Sequence, residues 1–209
     1  NGLARGTDGR LYFQPLKIFF TANVLITVMG PTSAALGPEA VHRDLTLIRG
    51  RLDTPQLRPR SAFDLVTAIR LQMLRSQESL VADAAARAAE LEKRVMGIDP
   101  VKAEAVLSSL FSLRHDLQTI RTNAAQTHEL YVHLIDTLDS QEGLMPLDTR
   151  RLNDLRLGFG HLRNTVDLQR EYLQEVLDLL QTRVSTELNR FVRKITAWGT
   201  IGIGWTVIV

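Results

Sequence analysis

The sequence predicts an α+β protein: a small, partial α/β N-terminal unit, then three long helices, the last a stalk helix that runs into a truncated transmembrane segment. Three observations predict this class. Short runs of β-branched and aromatic residues occur near the N-terminus. Apolar residues recur at helical spacing almost without pause from residue 62 onward. The last fifteen residues, 195–209, carry no charge.

Four segments follow from these patterns. Residues 1–60 form the partial α/β domain, and residues 61–146 form two long antiparallel helices. Residues 147–194 form the stalk helix, and residues 195–209 are the start of a first transmembrane helix that is cut short.

The N-terminal unit contains a predicted hairpin and one helix. The runs "PLKIFF" and "VLITVMG", separated by "TAN", predict strands over 16–20 and 24–29. In "EAVHRDLTLIRGRLD", apolar residues at positions 41, 45, 48 and 52 have helical spacing. The proline-containing stretch "TPQLRPR" predicts a loop before the long helices.

The long helices have recognisable ends. Ser61 is a predicted N-cap for a helix that runs to Gly97, a predicted C-cap. Asp99-Pro100 begins the second long helix, which continues to about Asp139. The stretch "SQEGLMP" interrupts the pattern, and Asp148 begins a third helix that continues to the end of the chain.

The third helix carries an apolar stripe at steps of three and four, interrupted only at Gln169. Such a stripe is typical of an ordinary bundle or coiled-coil helix. A helix over 148–209 would span about 90 Å at ~1.5 Å per residue, so it must be buried by partners, by a bilayer or by both. The stripe consists of Leu152, Leu155, Phe159, Leu162, Val166, Leu173, Val176, Leu180, Val184, Leu188, Phe191 and Ile195.

A second, more polar stripe follows another face of this helix. Its two interpretations are a solvated surface and the lumen of a symmetric ring of helices. The stripe consists of Asp178, Thr182, Ser185, Asn189, Val192 and Thr196.

The C-terminal stretch "ITAWGTIGIGWTVIV" predicts part of a membrane span. A complete span needs about 20 apolar residues. Arg190, Arg193 and Lys194 precede the stretch and mark that side as cytoplasmic. The alternative is a buried C-terminal helix in a soluble core.

Composition and motifs exclude several function classes. With 25 Lys and Arg against 23 Asp and Glu, the chain lacks the positive excess of a nucleic-acid binder. It has no cysteine, which excludes disulfides, thiolate zinc sites and cysteine nucleophiles. Phosphate-loop and serine-hydrolase motifs are absent, and the five histidines do not form a zinc-hydrolase pair. We therefore expect no enzyme and no ATP-driven step.

Several stretches, in order, resemble the CorA-type divalent-cation transporters. They are "FFTANVLITVMG", "ARAAELEKRVMG", "LFSLRHDLQTIRTNAA" and "LNRFVRKITAWGTIGIGWTVIV". The resemblance implies a homopentamer in the cell inner (plasma) membrane, with this part mostly cytoplasmic and with a cytoplasmic domain that senses metal and gates the pore. The implied cargo is Mg²⁺, with Co²⁺ or Ni²⁺ as other ions. Zinc transport, as in the ZntB branch, is the close alternative. The residues that would separate these branches lie partly beyond Val209.

The resemblance also implies roles for individual residues. Asn189 would face the pore where the stalk meets the membrane, and Asp178 would form an acidic ring that concentrates dications. Asp154 would help to hold a regulatory Mg²⁺ between neighbouring domains. The implied pore-facing positions further along are Val192, Ile195, Gly199, Ile203 and Thr206, of which Val192 and Ile195 would form the hydrophobic constriction.

Each assignment has an alternative. Asp178 would otherwise be a solvated carboxylate, Asp154 would pair with Arg156, and Asn189 would cap a local kink. The family's acidic pair on the first long helix is missing from "LRSQESL", residues 74–80. The competing function of another class is a membrane-anchored helical scaffold that uses the same heptads to bind partners.

Overall fold

The computed structural model describes residues 2–21, 23–97, 103–139 and 146–206, with the side chains of 138–139, 146–148, 191 and 194–206 outside that description. Within these ranges, the fold consists of two small β-hairpins and four helices. The strands are β1 (Gly2–Arg5), β2 (Leu11–Gln14), β3 (Leu16–Phe20) and β4 (Leu25–Met29). The helices are α1 (Pro38–Leu52), α2 (Ala62–Met96), α3 (Ala103–Asp139) and α4 (Pro146–Thr206). This arrangement confirms the predicted fold class.

The two hairpins form separate antiparallel sheets. β3 pairs with β4 in the predicted hairpin, and β4 begins one residue later than expected, at Leu25. β1 pairs with β2 in a hairpin that the sequence did not predict. Its turn contains Gly9 at φ 79°, a left-handed conformation that favours glycine.

α1 begins at Pro38, one residue before the predicted helical stretch, and α2 begins directly after the predicted N-cap Ser61. Pro38 occupies the first turn of α1, where its missing N–H costs no helical hydrogen bond. Ser61 caps α2: its hydroxyl oxygen accepts a hydrogen bond of 3.1 Å from the backbone N–H of Asp64. α2 then continues for 35 residues to Met96. The predicted start of the next helix at Asp99-Pro100 lies outside the described residues.

Side-chain contacts fix the directions of the three long helices. Near the starts of α2 and α4, Arg151 pairs with Asp64, and near the end of α2 the hydroxyl of Tyr172 donates to Glu92 at 2.5 Å. α4 is therefore parallel to α2. α3 is antiparallel to both, because Asp116 bonds to Arg87 while the later Asn123 bonds to the earlier Gln77 of α2. Along α4, likewise, Arg121 bonds to Asp167 while the later Tyr131 stacks on the earlier Phe159.

The apolar stripe of α4 forms the centre of the core as far as Leu180. The ring of Phe159 stacks on that of Tyr131 from α3, with ring centroids 5.9 Å apart. Beyond Leu180 the stripe becomes progressively exposed to solvent: Val184 is half-buried and Leu188 is 54% exposed. The buried members are Leu152, Leu155, Phe159, Leu162, Val166, Leu173, Val176 and Leu180.

α4 is 61 residues long and begins at Pro146, two residues before the predicted start at Asp148. Residues 181–206 alone extend about 40 Å at ~1.5 Å per residue. Among the described residues, no helix combines the length and apolarity that a membrane crossing requires.

Candidate pore surface on the long C-terminal helix

The polar stripe of α4 is exposed along its described length. Asp178, Thr182, Ser185 and Asn189 are all exposed and follow one another at steps of three and four. The Thr182 hydroxyl donates to the backbone carbonyl of Asp178 at 2.9 Å, so its donor is satisfied within the helix. This chain alone therefore leaves one continuous polar face uncovered.

Among the described residues, the Asp178 carboxylate accepts side-chain hydrogen bonds only from its own helix. Oδ1 accepts a hydrogen bond of 3.0 Å from Nε2 of Gln174, one turn earlier. No ion pair neutralises this carboxylate within the described part of the chain. An uncompensated, exposed carboxylate on a helix can contribute to an acidic ring if several copies meet.

Asn189 and Val192 lie further along the same stripe. Asn189 is exposed, and Val192 is 59% exposed. Arg190 beside them forms an exposed ion pair with Glu187 at 2.9 Å, and Arg193 is also exposed. The helical backbone continues through Ile195, Gly199, Ile203 and Thr206, whose side chains lie outside the description.

Asp154 lies two dozen residues before Asp178, about 36 Å along the same helix. It is exposed, and Nε of Arg156 donates to Asn153 at 2.9 Å. Within the described residues, no ion pair joins Arg156 to Asp154. Within the described ranges, no three His, Asp or Glu side chains come together as a metal site. Asp154 therefore lies too far along α4 to share one metal site with Asp178 or Asn189.

An apolar groove of about 740 Å³ flanks the polar stripe. It lies between the start of α3 and α4, and its walls include Leu107, Phe111 and Leu188, all partly exposed. Asp178 and Ser185 of the polar stripe also line it. The exposed end of the apolar stripe and the polar stripe therefore border the same groove.

In residues 74–80, where the family resemblance led us to look for an acidic pair, α2 contacts α1. The Ser76 hydroxyl donates to Oδ1 of Asp44 at 2.5 Å. Burial raises the pKa of Asp44, although this hydrogen bond and the charge of Arg43 act in the opposite direction. This contact joins two helices of one chain, so it has an evident structural role.

Two charge clusters were not foreseen from the sequence. Arg5 and Arg87 both bond to the buried carboxylate of Asp116, and Arg121 bonds to Asp167 at 2.6 Å. The available signal was an aspartate on the apolar face of α3, beside the buried Leu113 and Leu117. A buried carboxylate requires a charged or hydrogen-bonding partner.

Comparisons with known proteins agree with this architecture. The family described as "CorA-like Mg2+ transporter protein" matches residues 4–209. The solved CorA magnesium transporter from Methanocaldococcus jannaschii is similar in fold, with a TM-score of 0.63 at 17% identity. That match covers 95% of this chain and 64% of the archaeal protein, so the chain spans less than two thirds of it. No curated protein matches the chain. Because the family match extends over almost all of the sequence, the chain belongs to the CorA-like Mg²⁺ transporter family.

Proposed function

We propose that the chain is the cytoplasmic part and the beginning of the pore helix of a transporter for divalent metal cations, most simply Mg²⁺. Co²⁺ and Ni²⁺ are possible further cargo, and zinc transport is the closest alternative. The proposal includes a homopentamer in the cell inner (plasma) membrane, without nucleic acid as a partner and without catalytic chemistry. The family match supports the transport of dications.

The observation that carries this proposal is the uncovered stripe on α4. Asp178, Asn189 and Val192 are exposed at helical spacing on a helix that continues past the buried core. Around a rotation axis, five such helices would enclose a polar channel that narrows to an apolar neck. In this assembly Asp178 attracts dications, Asn189 contacts the hydrated ion, and Val192 with Ile195 closes the neck by dewetting. Gly199, Ile203 and Thr206 continue the lining.

A cytoplasmic sensor would complete the mechanism. In this proposal, Asp154 binds Mg²⁺ together with a group from the neighbouring copy, and this bridge favours the closed arrangement. When cytoplasmic Mg²⁺ falls, the bridge dissociates and the open arrangement becomes more populated. Exposure of the Asp154 carboxylate supports this role, because an intermolecular ligand must be accessible.

The test uses the full natural protein in detergent and in liposomes. We expect the mass of a pentamer in detergent, and uptake of Mg²⁺ into liposomes that carry an inward gradient and an ion-sensitive dye. Parallel uptake of Zn²⁺, Co²⁺ and Ni²⁺ separates the Mg²⁺ proposal from the zinc alternative. A protein that assembles but moves none of these ions would favour the scaffold function instead.

Asp154 has its own experiment. Asp154→Asn should leave uptake intact but weaken its inhibition by Mg²⁺ inside the liposome. Asp83→Asn, at an exposed position on α2, is the matched control. Unchanged inhibition in Asp154→Asn would exclude the sensor while leaving the transport proposal in place.

A further inference from the structure

A basic pocket lies between α3 and α4, one to three turns before Asp178 on α4. Its volume is about 350 Å³, and its walls include Arg114 and Arg121 of α3 and Arg170 of α4. Asp167 and Glu171 also line it. With three cations and two carboxylates, the lining has a net charge of +1.

The protein itself uses few of the hydrogen-bond donors in this pocket. Nε of Arg121 donates to Asp167 at 2.6 Å, and Nη1 of Arg170 lies 3.4 Å from the same oxygen. Nε of Arg170 is buried and has no hydrogen-bond partner within the described residues. Each guanidinium has five donors, so most of those on Arg121 and Arg170 remain available.

We infer that this pocket binds a phosphate-type oxyanion between Arg114, Arg121 and Arg170. Guanidinium groups match phosphate oxygens through paired, charge-assisted hydrogen bonds, which are stronger in a half-buried site than on the surface. Arg121 and Arg170 are each less than 40% exposed, so water only partly competes for them. A phosphate dianion supplies more acceptors than Asp167 alone and satisfies donors on both helices.

Two kinds of ligand could supply the phosphate group, and they differ in whether they also occupy the adjoining apolar groove. The apolar groove beside Leu107 and Phe111 shares Arg114, Gln174 and Leu177 with the basic pocket. A free phosphate or pyrophosphate would use the basic pocket alone. A nucleotide would place its phosphates there and its base against Phe111, because exposed aromatic faces stack on bases.

The experiment is calorimetric titration of the purified protein in detergent with inorganic phosphate, pyrophosphate and ATP at constant ionic strength. We expect binding of at least pyrophosphate. Arg114→Gln should weaken it about tenfold, the order expected for a lost charge-assisted hydrogen bond. Arg114 is exposed, so this variant should retain its fold, which circular dichroism verifies.

Two further variants make the result specific. Arg75→Gln removes the same charge from an exposed site on α2 and should bind like the unmodified protein. Asp167→Asn removes the negative charge that competes for Arg121 and Arg170, so this variant should bind pyrophosphate more tightly. If ATP binds more tightly than pyrophosphate and Phe111→Ala abolishes that difference, the ligand is a nucleotide; equal binding indicates free phosphate.

The inference is overturned if none of the three probes binds. It is equally overturned if Arg114→Gln and Arg75→Gln weaken binding to the same extent, because the effect would then reflect net charge alone. Failure of Asp167→Asn to tighten binding would also contradict it. None of these outcomes depends on whether the protein transports ions.

Discussion

Arg87 of α2 donates a hydrogen bond of 2.9 Å to the buried carboxylate of Asp116 on α3. Arg5 of β1 donates to the same oxygen at 3.1 Å, and the Asp116 side chain is only 2% exposed. One carboxylate thus joins the first hairpin to two long helices. A buried charge of this kind is tolerable only while a cation remains beside it.

The first prediction concerns how Arg5 and Arg87 each contribute to compensating the charge of Asp116. Arg5→Gln and Arg87→Gln should each lower the free energy of unfolding by about 1 kcal/mol, because both arginines are partly exposed and the other remains. The double variant leaves the carboxylate without a cation and should lose about 3–5 kcal/mol. Urea unfolding followed by circular dichroism measures all three differences.

Arg94→Gln is the control for this series, since its ion pair with Glu90 is exposed and should contribute no more than about 0.5 kcal/mol. Strictly additive losses in the double variant would show that the two arginines act independently.

The second prediction concerns pH and Asp44. Burial raises the pKa of Asp44, so the folded state favours the protonated carboxyl more than the unfolded chain does. At a pH above the pKa of Asp44 in the folded protein, the ionised side chain therefore lowers the free energy of unfolding. This loss disappears once the pH falls below the pKa of an unperturbed aspartate, about 3.9, because the carboxyl is then protonated in both states. Asp44→Asn keeps an acceptor for the Ser76 hydroxyl and removes the charge. It should be more stable than the unmodified protein at pH 7 and equally stable near pH 3.

Denaturant unfolding at pH 7 and near pH 3 measures the difference in the free energy of unfolding between Asp44→Asn and the unmodified protein. Asp83→Asn, at an exposed position, should show no comparable difference between the two conditions. If Asp44→Asn were less stable at pH 7, the ionised carboxylate would be a net stabilising partner of α2.

The third prediction compares two helical glycines. A Cβ atom on Gly158 would lie 2.5 Å from Cδ2 of the buried Leu74, whereas one on Gly50 would meet nothing within 4 Å. Gly50→Ala should raise the free energy of unfolding by up to about 1 kcal/mol through helix propensity alone. Gly158→Ala gains the same propensity but overpacks the contact between α2 and α4, at a cost of about 1–3 kcal/mol.

Thermal unfolding of the two variants measures the difference. Gly158→Ala should melt at a lower temperature than Gly50→Ala. Equal melting temperatures would mean that Leu74 adopts another rotamer without cost.

Much of the fold could be predicted from local patterns. Ser61, the hairpin of β3 and β4, and the apolar stripe to Leu180 all follow from spacing and capping, which act over a few residues. β1 and β2 could not be predicted in this way. "GLAR" contains no β-branched residue and "LYFQ" is only four residues long, so their pairing depends on packing against the helices.

Of the candidate pore surface, the sequence could predict only the part that depends on spacing along α4. The spacing of Asp178, Asn189 and Val192 predicts one shared face of α4, and in this chain all three residues are exposed. The pairing of Asp116 with Arg5 spans 111 positions in the chain, and no local period encodes such a distance. The roles of Asp154 and Asp178 toward metal ions stay predictions.

The last prediction addresses Asp178 in the assembled protein and rests on the proposed transport. A ring of five carboxylates should raise the local concentration of dications, so its effect is largest where Mg²⁺ is scarce. Asp178→Asn in the full natural protein should therefore slow Mg²⁺ uptake into liposomes several-fold at low Mg²⁺ and much less at saturating Mg²⁺. Initial rates over a range of Mg²⁺ concentrations measure this.

Ionic strength distinguishes attraction at long range from direct coordination of the ion. Because salt screens exposed charges over a Debye length of about 8 Å at 0.15 M, added salt should slow uptake by the unmodified protein toward the rate of Asp178→Asn. Asp83→Asn removes an exposed carboxylate from α2 and should follow the unmodified protein at every salt concentration. If Asp178→Asn instead lowered the saturating rate and the deficit persisted in high salt, Asp178 would bind the ion directly during passage. An unchanged rate throughout would place Asp178 on the solvated outer surface of the assembly.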